Sequence, residues 1–136
     1  MNVAITSFGN TCVWLNPGNE WSTGKKLYVV IPMDQAYNGW TIELNFTTAL
    51  TSLEAWKGDV AELAPTDGTM WQITNKCYNG LLYGCQCLEL GFIVRYPAYS
   101  DPSFQLTFNS RLLDTCSQEP ECNTGEETTT TTAPLP

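Results

Sequence analysis

A chain of 136 residues, 43% of them hydrophobic, is long enough to close one two-layer core and too short for several domains. Its net charge of −8 disfavours nucleic acid and anionic lipid as partners, and its lack of any histidine removes the Ser-His-Asp triad. Charged residues are only 15% of the chain and aromatics 12%, a balance that suits an all-β extracellular module.

Apolar residues recur at every second position in short runs, separated by Gly, Pro, Asn and Asp, as half-buried strands require. Val3–Phe8 is the first candidate, and Cys12–Leu15 continues it beyond Gly9-Asn10. Leu27–Met33 follows and is ended by Asp34-Gln35. Trp40–Phe46 sets Trp40, Ile42, Leu44 and Phe46 on one face and Thr41, Glu43 and Asn45 on the other, so Trp40 is expected in the core. Leu50–Trp56 and Asp59–Leu63 are shorter; a helix over 50–63 is opposed by Gly58 and by β-branched neighbours. Met70–Thr74, Cys85–Arg95 and Ser103–Phe108 complete the set, with Trp71 and Ile73 sharing a face. Some seven to nine strands with frequent turns predict an antiparallel β-sandwich, immunoglobulin-like or jelly-roll-like, over residues 1–116.

Residues 117–136 are of another kind. Glu, Thr, Gly and Pro dominate, with the run Thr128–Thr132 ahead of Ala133-Pro134-Leu135-Pro136. Such a stretch cannot bury enough apolar area to order itself, and reads as an O-glycosylated linker towards a further domain. Residues 1–10 lack the basic region and apolar run of a signal peptide, so a mature fragment is expected, and no segment approaches a membrane span. Six cysteines in a short chain indicate a disulfide framework in an oxidising compartment, hence secretion. Zinc is the competing reading of Cys85-Gln86-Cys87, but structural zinc favours Cys-x-x-Cys spacing and often histidine, neither of which is present. No Asp-rich loop calls for calcium, and no cofactor or metal is expected. Asn45-Phe46-Thr47 is an N-glycosylation pattern, with Asn45 directed away from the Trp40 face.

The five tryptophans are the most informative feature. Trp21 sits in Asn19-Glu20-Trp21-Ser22-Thr23-Gly24, Trp56 in Glu54-Ala55-Trp56-Lys57-Gly58-Asp59 and Tyr78 in Asn75-Lys76-Cys77-Tyr78-Asn79-Gly80. All three are turn compositions, and several large rings held in water mark a binding surface. Trp71 is expected in the core beside Ile73, whereas Trp14 fits either the core or a wider aromatic strip.

Taken in order, Cys12-Val13-Trp14, Trp21-Ser22-Thr23-Gly24, the strand Gly39–Phe46, Ala55-Trp56-Lys57-Gly58, Tyr78-Asn79-Gly80, Leu90-Gly91-Phe92 and the stretch closing at Cys116 form a succession. It resembles family 2 carbohydrate-binding modules, the cellulose- and chitin-binding β-sandwiches attached to glycoside hydrolases, over roughly residues 10–116. The resemblance implies three surface rings, Trp21, Trp56 and Tyr78, the last a Tyr where the family carries Trp. It also implies a Cys12–Cys116 disulfide. Cys77, Cys85, Cys87 and Cys122 are additions to the family pattern and leave their pairing open. A Cys77–Cys87 or Cys77–Cys85 staple would rigidify the Tyr78 turn.

The chemistry of such a face is simple. A pyranose presents axial C–H bonds on a flat apolar side and hydroxyls at its edge. If each ring removes about 50 Å² of apolar surface, it contributes about 1.2 kcal/mol, so three rings alone reach only millimolar affinity. A rigid row and edge hydrogen bonds must supply the rest, and Asn19, Glu54 and Asn79 are the candidates beside the rings. The expected partner is an insoluble β-1,4-linked polysaccharide, cellulose first and chitin second, bound by a monomer tethered to a C-terminal hydrolase. Glycosidases need two carboxylates at a fixed separation in a cleft. Glu43, Glu54, Asp59 and Glu62 match no catalytic pattern, so the module itself is expected to be non-catalytic. Rival readings are a secreted lipid-binding sandwich, with the rings lining a cavity, and a protein-adhesion module.

Overall fold

The computed structural model describes residues 12–122. The expected strand Val3–Phe8, and the linker from 123 to 136, lie outside the described residues. Among the described residues, eleven strands and no helix form: β1 (Cys12–Trp21), β2 (Gly24–Pro32), β3 (Tyr37–Asn38), β4 (Thr41–Phe46), β5 (Ser52–Ala55), β6 (Gly58–Glu62), β7 (Met70–Asn75), β8 (Leu81–Leu82), β9 (Cys87–Arg95), β10 (Phe104–Phe108) and β11 (Arg111–Thr115). Nine of them join in the order β5-β9-β2-β1-β11-β10-β4-β7-β6, while β3 and β8 make a small separate ribbon. The pairings are antiparallel except β1 with β11, which run parallel through Cys12↔Asp114 and Val13↔Thr115. That junction connects two layers, β5-β9-β2-β1 and β11-β10-β4-β7-β6, which close on one core as a sandwich.

The core follows from the period-two alternation. Leu27, Val29 and Ile31 of β2, Leu88, Leu90, Phe92 and Val94 of β9, Ile42, Leu44 and Phe46 of β4, and Leu106 and Phe108 of β10 are all buried. Phe92 of one layer meets Phe104 of the other edge to face, with centroids 6.4 Å apart. Trp40 and Trp71 are buried as well, and each indole N–H finds a carbonyl: Trp40 Nε1 donates to Asn79 O at 2.9 Å and Trp71 Nε1 to Gly68 O at 2.8 Å. Trp14 is half-buried on the outward side of β1, opposite Val30. Asn45 is exposed on the outward side of β4.

Two disulfides tie the chain together. Cys12 is bonded to Cys116, with Cα atoms 5.0 Å apart, next to the hydrogen bond from Cys116 N–H to Val13 O. Cys87, which alternates outward from buried Leu88 and lies opposite Pro32, is bonded to Cys122 with Cα atoms 5.2 Å apart. This bond displaces the Cys77–Cys87 staple considered above: the segment after Cys116 delivers Cys122 to β9 instead. Cys77 and Cys85 are free and exposed, so they form no staple either. The chain thus stays attached to the sandwich as far as Cys122, past the expected boundary at residue 116.

The turn after β2 is held by a polar cluster. Tyr37 OH donates to Asp34 Oδ1 at 2.7 Å, Arg111 Nη1 donates to Asp34 Oδ2 at 3.2 Å, and Arg111 Nη2 donates to Tyr37 OH at 3.2 Å. Burial pushes the Asp34 carboxyl up, but the hydrogen bonds from Tyr37 and Arg111 together outweigh it and hold the group below its ordinary 3.8.

Two stability predictions follow from these contacts. The Cys12–Cys116 bond spans 104 residues and the Cys87–Cys122 bond 35. In the chain-entropy account, removing the first pair by double Ala substitution costs about 5 kcal/mol and removing the second about 4 kcal/mol, measurable by urea unfolding. A carboxyl with a lowered folded pKa stabilises the fold above its unfolded value and ceases to do so as the pH falls through the folded value. Asp34→Asn should therefore lower the melting temperature at neutral pH, and the two proteins should converge as acid well below 3.8 protonates Asp34.

Candidate functional site

The two layers differ on their solvent sides. The outward positions of β4, β7 and β10 carry Thr41, Glu43, Asn45, Met70, Gln72, Thr74, Gln105 and Thr107, with no aromatic ring among them. The outward side of β5-β9-β2-β1 carries Trp21, Tyr28 and Trp56, which are 40%, 40% and 50% exposed. Strand pairing sets these residues in rows across that layer. One row holds Arg95, Gly24 and Trp21; the next holds Glu54, Ile93 and Lys26; a third holds Trp56, Gly91, Tyr28 and Asn16.

Trp21 ends β1 and pairs with Gly24 across a turn of Ser22 and Thr23. Its ring covers the bare backbone of Gly24. A Cβ there would come within 3.0 Å of Trp21 Cζ2 and 2.7 Å of the Val94 carbonyl oxygen. The turn is held in place by Tyr96 N–H to Thr23 O and Tyr99 N–H to Ser22 O, each 2.9 Å. Beside it, Arg95 Nη1 donates to Glu54 Oε2 at 2.7 Å.

Trp56 follows β5 and is pinned by its N–H to Gly91 O at 3.2 Å. Tyr28 lies on the far side of Gly91, opposite it in the β2–β9 register. The two rings are nearly parallel, 11° apart, with centroids 6.4 Å from each other. Lys26 Nζ sits 5.3 Å from the Trp56 ring centroid, a cation–π distance. Asn16, Lys26, Lys57 and Glu89 join these rings around a depression of about 500 Å³. From Gly24 to Tyr28 along β2 is about 13 Å, so Trp21 and the Trp56–Tyr28 pair stand apart on one surface.

The residues expected at the edge each have a distinct setting. The Asn79 amide is engaged in its own turn: Oδ1 accepts from Lys76 N–H at 2.7 Å and Nδ2 donates to Lys57 O at 2.8 Å. With Trp40 Nε1 bonded to Asn79 O, this turn presents Tyr78, 71% exposed, from a mooring beside the residue that follows Trp56. Glu54 is held by Arg95, and Asn19 is exposed in the β1 irregularity between Pro17 and Glu20. Among the described residues no group of three or more His, Cys, Asp or Glu converges as a metal site.

Residues 11–112 match the family described as the Cellulose binding domain. The chain belongs to that family. No curated protein sequence matches it. Among solved structures, the chitin-binding domain of Chi18aC from Streptomyces coelicolor shares 22% identity at a TM-score of 0.56, covering 81% of this chain and 98% of that one. The chitin-binding domain of a chitinase from Pyrococcus furiosus shares 22% identity at 0.54, covering 76% and 99%. A family 20 exo-β-N-acetylglucosaminidase from Vibrio harveyi shares 14% identity at 0.55, covering 82% of this chain and 19% of that one. The sandwich shares its fold with these two domains and with part of the Vibrio enzyme.

Tyr28, Gly91 and Lys26 were not among the expected site residues of this domain. Two signals point to them. Lys26, Tyr28 and Val30 alternate against buried Leu27, Val29 and Ile31, and a glycine inside a strand marks a close approach. Gly24 is the site glycine whose Cβ would meet backbone, so Gly24→Ala must part β2 from β9. A loss of about 1–3 kcal/mol in urea unfolding is expected.

Proposed function

We propose that this chain binds an insoluble β-1,4-linked polysaccharide, cellulose or chitin, without catalysis, through the outward side of β5-β9-β2-β1. The observation that carries the reading is the segregation of exposed rings: Trp21, Tyr28 and Trp56 lie on that side, and the outward strand positions of β4, β7 and β10 carry none. Rings on a sheet face suit the flat C–H side of a sugar in an extended polymer, and Tyr78 adds a ring at the Lys57 edge. Asn16, Lys26, Lys57 and Glu89 supply donors and acceptors for hydroxyls around the central pair. The family description favours cellulose, and the names of the two domains with the same fold favour chitin.

The two disulfides fit a secreted protein. The Thr- and Pro-rich composition of residues 123–136 suits a linker to a hydrolase, which would be concentrated at the polymer surface by the bound domain. Asn45 is accessible for N-glycosylation on the opposite layer, clear of the ring-bearing side.

Co-sedimentation with microcrystalline cellulose and with chitin tests the reading. The domain should be retained on at least one polymer. Trp21→Ala and Trp56→Ala should each weaken retention about tenfold, with little change in melting temperature. Release of wild type from both polymers into the supernatant would remove the proposal.

A further inference from the structure

We infer that Tyr28 and Trp56 act as one two-ring platform for a sugar face, and that Gly91 is the residue whose lack of a side chain lets the platform close. The inference rests on the polysaccharide reading above and assigns residues within it.

The geometry begins with strand spacing. β5 and β2 flank β9 on either side, so positions on β5 and β2 are roughly 10 Å apart. The ring centroids of Trp56 and Tyr28 are only 6.4 Å apart. Each ring therefore leans inward over β9, and what lies beneath them is Gly91. A Cβ on that residue would stand 2.9 Å from Trp56 Cε3, 3.0 Å from Trp56 Cζ3 and 3.0 Å from Tyr28 Cε1. These separations are well inside the roughly 3.5–4.0 Å of a favourable carbon contact. The three nearest atoms all belong to ring side chains and none to backbone. Adding a methyl group at position 91 would consequently displace the rings and leave the strands paired. Gly24 is the opposite case, since its nearest neighbour is the Val94 carbonyl oxygen.

The near-parallel setting of 11° gives the pair a common orientation, and Lys26 adds a cation at 5.3 Å from the Trp56 centroid. Tyr28 is 40% exposed and Trp56 50%. Tyr28 consequently offers contact area of its own beside the larger Trp56 ring. Gly91 acts through both rings and is a positioning residue.

A double-mutant cycle on the intact chain tests this, using Tyr28→Ala, Gly91→Ala and the pair together, read by co-sedimentation with cellulose and chitin. Tyr28→Ala should weaken binding about tenfold. Gly91→Ala should weaken it by a similar factor, shift the near-ultraviolet circular dichroism of the free protein, and move the melting temperature by less than about 4 °C. The double variant should lose less than the product of the two single losses, because without the tyrosine ring the added methyl has one less ring to displace. Wild-type affinity in Tyr28→Ala would overturn the inference, as would multiplicative losses in the double variant. If wild type itself binds neither polymer, the polysaccharide reading has failed first. If wild type binds and Tyr28→Ala binds equally, only the platform has failed. Tyr28→Ala changes a surface side chain, so the inference can be judged even if Gly91→Ala folds poorly.

Discussion

The parallel contact between β1 and β11, locked by the Cys12–Cys116 disulfide, is the constraint on which the architecture depends. It is where a four-stranded layer and a five-stranded layer become one continuous sheet folded on itself. The contact is short, two register pairs long, and joins segments separated by nearly the whole described chain. Loop closure over such a distance is entropically costly in the unfolded state, and a covalent bond removes that cost. The Cys87–Cys122 bond extends the same logic, holding the segment beyond β11 against β9.

With the layers joined, each strand of β5-β9-β2-β1 serves two environments at once. Its inward residues close the core, and its outward residues form the ring-bearing surface. Rotational freedom of the rings is curtailed by their seats: Trp21 rests on Gly24, and Trp56 and Tyr28 meet over Gly91. A surface ordered before its ligand arrives forfeits less entropy on binding, which matters when each ring contributes only about 1 kcal/mol. The Tyr78 turn is different in kind. It is held by the Trp40 indole and the Asn79 amide, so a core residue and a turn residue together set the position of an exposed ring.

Much of this was legible from residue order. The period-two runs at Leu27–Met33, Trp40–Phe46 and Cys85–Arg95 correspond to β2, β4 and β9, and Trp40 and Trp71 lie in the core as their strand neighbours required. The exposure of Trp21, Trp56 and Tyr78 accords with their turn compositions. The Cys12–Cys116 bond is the one the family resemblance implied, but the partners of the other four cysteines were not legible, since connectivity depends on which segments the fold brings together. Asn79 was ambiguous for the same reason: an asparagine in a turn offers the same amide to backbone or to ligand, and only the fold brings the Lys57 carbonyl within its reach.

Residue order by itself therefore determined the class of fold and the presence of rings in water, because alternation and turn chemistry are local properties. Tertiary structure alone decided that Trp21, Trp56 and Tyr28 share one side of one layer, that Gly91 lies beneath two of them, and that Cys87 meets Cys122. The physical reason is that strand neighbours in this sandwich are far apart in the chain. β5, β9 and β2 lie side by side although they are distant from one another in the chain, and no local pattern encodes that adjacency.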